Sequence, residues 1–64
     1  MDNKVKKLLN SKLRQPVHIS YISKYILKMT EKETKKILDE MVEEGLIYES
    51  PLASGYYGNK ENEN

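Results

Sequence analysis

Apolar residues recur at helical spacing in three stretches of this chain, and at strand spacing in a fourth. The strongest pattern runs from Thr30 to Gly45, where Ile37, Leu38, Met41 and Val42 fall on one helical stripe. Thr30 is followed three residues later by Glu33, the spacing of a capping box. In that motif the hydroxyl accepts from a free first-turn amide and the glutamate reaches back. Gly45 supplies the left-handed residue that commonly ends a helix. Together these features predict a helix over about 31–44.

Upstream, Val5, Leu8, Leu9 and Leu13 follow the same periodicity and predict a first helix. Asp2 or Asn3 is placed to cap it, and it should stop before Pro16, because the residue preceding a proline is pushed out of helical angles. Its lysines are read as a solvated face. Val17-His18-Ile19 suits a short strand, with Val17 and Ile19 turned to the core and His18 to the surface. Ser20 is placed to cap a second helix over 21–28, with Ile22 and Ile26 inward and Tyr25 or Met29 filling the gap beside them.

Downstream, residues 46–50 are branched or aromatic, 51–55 are turn material, and Tyr56-Tyr57 resume the strand pattern. This predicts a hairpin with a five-residue loop, in which Tyr48, Tyr56 and Tyr57 pack the strands. Residues 59–64 are polar and unpatterned and are expected to be a disordered tail. One domain over 1–58 follows.

The order helix, short strand, helix, helix, hairpin, with Glu43-Glu44-Gly45-Leu46-Ile47-Tyr48 joining the capped helix to the hairpin, resembles a winged helix-turn-helix domain. The resemblance covers about residues 4–58. It implies an α+β fold in which the third helix is the recognition helix and the hairpin is the wing. The domain most resembles small stand-alone transcription regulators of archaea and their viruses. A composition rich in Lys, Ile, Asn and Tyr, with one alanine and neither Cys nor Trp, fits an AT-rich genome. Two departures bear on the helix-turn-helix unit. Ser23 stands where the family often has alanine, and the turn lacks the usual glycine and is one residue longer.

Sixty-four residues leave room for one small core and little for a substrate pocket. With no cysteine and a single histidine, His18, neither disulfides nor a metal site are expected. There is no Gly-rich phosphate loop, and Glu43 and Glu44 diverge as helical neighbours. An enzyme is therefore not expected, nor any cofactor. Without a signal-type or membrane-spanning apolar run, the expected location is the cytoplasm.

Charge changes the picture. The net value is only +1, yet residues 1–36 carry ten Lys/Arg against three acids and residues 37–64 one lysine against seven. One basic and one acidic surface are implied. With the apolar stripe inward, Lys32, Lys35, Lys36 and Asp39 face out, and Thr34 lies at the border. The expected function is duplex DNA binding in transcription regulation, with the amino half of the third helix in the major groove. Lys32, Thr34, Lys35 and Lys36 are the candidate groove residues, Thr34 by touching a thymine methyl. Ser20, Tyr21, Lys24, Ser54 and Lys60 are the candidate phosphate anchors.

With no Arg, Asn or Gln on that face, one copy should discriminate modestly, so a homodimer through the first helix is expected. The alternative is a winged-helix protein-interaction module within a larger assembly, suited to the acidic half. RNA binding is disfavoured by the same acids. Left-handed DNA binding is disfavoured because Lys35 and Asp39 stand at the positions where such relatives carry asparagine and tyrosine, and the chain has no tryptophan.

Overall fold

Leu9 and Leu13, one turn apart, are fully excluded from solvent, and the core is assembled against them. The computed structural model describes residues 3–60. The first helix, α1 (Asn3–Lys12), ends with Lys12 in its last turn, where a cation complements the helix dipole. Leu13 still donates to the Leu9 carbonyl at 2.9 Å. Of the expected stripe, Val5 packs on the core, whereas Leu8 is 40% exposed. The predicted cap Asp2 lies outside the described residues.

Strand β1 (Val17–His18) is one residue shorter than expected, because Ile19 already starts the second helix. This helix, α2, opens as an α-turn over Ile19–Tyr21 and continues as a π-turn over Ile22–Ile26. Its cap is His18, not Ser20: the ring Nδ1 accepts from the Ser20 amide at 3.1 Å. The Ile19 amide is taken by the Gly55 carbonyl at 2.8 Å, which fixes the start two residues earlier than predicted. Ile22 is buried as expected and Ile26 packs on the core. Tyr25 does not fill the gap beside them, being 58% exposed.

The long turn has a physical form. Leu27 donates to the Ile22 carbonyl at 2.8 Å and Met29 to the Ser23 carbonyl at 2.9 Å, bonds one residue wider than in an α-helix and its usual cap. The π-turn absorbs the additional residue. Lys28 takes the left-handed place usual for glycine, at φ 54°.

The third helix, α3 (Glu31–Glu43), starts at Thr30, whose Oγ1 accepts from the Glu33 amide at 3.1 Å. The reciprocal half of the capping box differs: the Thr30 hydroxyl donates to Glu33 Oε1 at 2.9 Å. Gly45, at φ 79°, ends the helix, with Gly45 and Leu46 donating to the carbonyls of Val42 and Met41. That pair of bonds is a Schellman motif. The buried stripe is rotated from the expected one. Thr34, Leu38 and Met41 are fully buried and Ile37 packs beside them, while Val42 is 38% exposed. Glu44 sits where the helix dipole disfavours an acid, but it accepts from Lys6 Nζ at 2.8 and 3.0 Å and so ties α3 to α1.

Strands β2 (Ile47–Glu49) and β3 (Tyr56–Asn59) form the hairpin, and β1 adds to its other edge, giving an antiparallel sheet ordered β1-β3-β2. Val17 faces Tyr57, and Glu49 faces Tyr57 from the opposite side. Gly55, at φ 88°, occupies the third position of the turn closed by Tyr56 N to Ala53 O at 3.2 Å. β3 runs past the expected end of the domain. Asn59 is 1% exposed, its amide donates to the Leu13 carbonyl at 2.8 Å, and its Nδ2 donates to the Asn10 carbonyl at 2.7 Å. The boundary placed after residue 58 is therefore corrected: Asn59 belongs to the core, because it satisfies the open carbonyls at the end of α1. Of the rest of the predicted tail, Lys60 donates its amide to the Leu46 carbonyl at 3.3 Å, and residues 61–64 lie outside the described residues. The described residues form a small α+β unit of three helices and one three-stranded antiparallel sheet.

Candidate nucleic-acid interface

Phase along α3 decides which side chains are available. With Thr34, Leu38 and Met41 inward, Lys32, Lys36 and Asp39 project outward and are exposed. Lys35 lies toward the hairpin. Lys32 and Lys35 share one groove with Ser54 and Gly55 of the hairpin turn, floored by Tyr57 and Ile19. Three of the predicted site residues, Lys32, Lys35 and Ser54, are thus brought together. Lys36 stands one turn beyond Lys32 on the outer ridge.

This groove is not purely basic. Glu31 and Glu49 also line it. Glu49 Oε2 accepts from the Gly55 amide at 2.9 Å, which holds the hairpin turn over the groove. Lys35 Nζ lies 3.2 Å from Asp39 Oδ1, with both side chains more than half exposed. The hydrogen bond to Asp39 raises the Lys35 pKa, and Tyr57 adds to it. Burial pushes the Tyr57 phenol up, and Glu49 acts in the same direction, while Lys35 opposes both.

Thr34 is corrected. It is fully buried, so it cannot touch a base; its Oγ1 has no hydrogen-bond partner. A threonine four residues before Leu38 and seven before Met41 lies in the centre of their stripe, and position outweighed polarity.

The predicted phosphate anchors separate. Ser20 is exposed, with its Oγ 2.8 Å from His18 Nδ1 inside the α2 cap. Tyr21 belongs to another groove between α1 and α2, where its ring meets that of Tyr25 at 4.9 Å. Lys24 Nζ stands 5.6 Å from the Tyr25 ring centroid. Lys60 follows Asn59 at the far end of β3 from Gly55, roughly 15 Å away at strand rise, and its amide donates to the Leu46 carbonyl. It does not join the lysines of α3.

Sequence reasoning missed Glu49 and Glu31 as groove residues. For Glu49 a signal existed: a five-residue loop pairs Ser50 with Tyr56, so Glu49 sits opposite Tyr57 and shares its face. Among the described residues no helix is long and apolar enough to cross a membrane. No protein-family model matches the chain, and comparison with curated proteins and with solved structures gives no significant match.

Proposed function

We propose that this protein binds duplex DNA as a small winged helix-turn-helix regulator, presenting the amino half of α3 to the major groove with the β2–β3 hairpin as its wing. The observation that carries this reading is the outward ridge of Lys32 and Lys36, beside a groove that Lys32 and Lys35 share with the hairpin turn at Ser54. The strand order β1-β3-β2 supports it, since β1 is tied to the hairpin as that architecture requires. Lysine serves phosphates and guanine alike, so affinity is mostly electrostatic and base discrimination by one copy is modest. The proposed role is in transcription regulation.

A titration followed by amide NMR tests the reading. Adding a random-sequence duplex at low salt should shift the amides of 31–39 and 53–56. Shifts confined to other surfaces would overturn it.

A second reading is a winged-helix protein-interaction module. It is favoured by the carboxylates of Glu31, Glu49 and Asp39 interleaved with the lysines, which lower the positive potential of this face.

A further inference from the structure

A second groove lies between α1, β1 and α2 and shares no lining residue with the one beside α3. Its apolar surface comes from Leu8, Tyr21, Tyr25 and the half-buried Ile26, and its rim from Lys12 and Arg14. Leu8, Tyr21 and Tyr25 are 40, 53 and 58% exposed, so the groove offers apolar side chains to a partner. Lys24, over the Tyr25 ring, extends the basic rim. Among the described residues that line the groove, none is Asp or Glu.

We propose that this groove is a docking site for an acidic segment of another protein that carries apolar anchor side chains. Charge complementarity selects this occupant: Lys12 and Arg14 are the charged residues among the described lining residues and Lys24 stands beside them, so the partner supplies carboxylates around its anchors. A second copy of this chain is disfavoured, since pairing this groove with itself across a two-fold sets two cationic patches together with no carboxylate among the described lining residues to face them. Single-stranded nucleic acid is disfavoured by the floor. Leu8 and Ile26 complement side chains rather than bases, and the Tyr21 and Tyr25 rings lie against each other at 4.9 Å with no slot between them. Tyrosines flanked by cations have the composition of an interface centre, apolar bodies with polar tips. The proposal stands independently of the DNA reading, because the two surfaces are separate.

The test uses the full 64-residue chain and a phage-displayed library of random peptides about 16 residues long. Enriched peptides are synthesised and their binding measured by fluorescence anisotropy. The expected result is enrichment of sequences with Asp or Glu around Leu, Phe or Trp, whose binding falls at least tenfold in Tyr25→Ala and in Lys12→Glu. Binding should be unchanged in a Lys32→Ala/Lys36→Ala variant. Tyr21→Ser serves as a second variant at an exposed position, and its thermal midpoint reports folding. Four results overturn the proposal: no enrichment, enrichment of non-acidic peptides, binding that survives Tyr25→Ala and Lys12→Glu, or Tyr25-dependent binding of oligothymidylate in place of peptide. A Tyr25-dependent dimer in sedimentation likewise overturns it, by assigning the groove to a second copy.

Discussion

Lys35 Nζ lies 3.2 Å from Asp39 Oδ1, one turn further along α3, so one of the three candidate groove lysines is already held by a carboxylate of its own helix. The pair is exposed, and its contribution to stability is small. Its larger effect is on the surface: Asp39 offsets Lys35 where a phosphate or base would approach. Asp39→Asn should therefore tighten binding to duplex DNA about three- to tenfold. It should steepen the salt dependence by about one phosphate contact, a slope change near −0.9. Anisotropy titrations of the two proteins at matched salt measure both effects.

The same neighbourhood sets an alkaline limit. The folded state raises the Lys35 pKa above 10.5 and the Tyr57 pKa above 10.0. For both groups the folded chain keeps its proton longer than the unfolded chain. Their contribution is complete below the unfolded values and is lost as pH rises through the folded ones. Stability should be flat from neutral pH to about 10 and then fall. Urea melts between pH 8 and 11.5 should show the fall, and Tyr57→Phe should shrink it.

Lys28 is a non-glycine residue at φ 54°, held there by the wide turn that ends α2. The left-handed conformation costs an L-residue roughly 1 kcal/mol, part of which glycine returns as unfolded-chain entropy. Lys28→Gly should stabilise the fold by about 0.5 kcal/mol, and Lys28→Val should destabilise it by at least as much. Urea midpoints at constant slope give the sign.

Thr34 separates a core residue from a groove residue. Its Oγ1 is buried without a partner, so the hydroxyl carries a desolvation cost that nothing offsets. Thr34→Val keeps the shape and removes that atom. It should be neutral or stabilising by up to about 1 kcal/mol, because valine and threonine have similar helix propensities. It should leave duplex affinity within about twofold. A large loss of binding with an unchanged midpoint would contradict the buried placement.

What the sequence displayed, and what it hid, follows the range of the interactions involved. The third helix was legible because its cap, its period and its stop are local: Thr30, the Ile37-Leu38-Met41 stripe and Gly45 each act within a turn or two. The strip's fourth member was misread, since Val42 and Thr34 flank the same arc and hydrophobicity alone favoured valine. The start of α2 depends on Ile19 donating to Gly55 across the sheet, a bond with no local signature. Asn59 reads as tail composition and becomes core only because the end of α1 presents the carbonyls of Asn10 and Leu13. The longer turn was visible as a count, but its resolution into a π-turn with Lys28 left-handed was not. At the candidate site the outward lysines of α3 could be read from the period. The carboxylate of Glu49 required the hairpin register, and the dispersal of Ser20, Tyr21, Lys24 and Lys60 required the fold.

The central claim is that Lys32, Lys35 and Lys36 form an electrostatic surface for duplex DNA. The most direct test is fluorescence anisotropy with a random-sequence duplex across 50–200 mM salt, for the natural chain and for Lys32→Ala/Lys35→Ala/Lys36→Ala. With roughly three to four phosphate contacts on this face, affinity should fall about forty- to a hundred-and-fiftyfold over that range. The variant should bind far more weakly, with a slope smaller by about two to three. Duplex binding absent even at the lowest salt, or binding of equal strength and slope in the variant, would contradict the account.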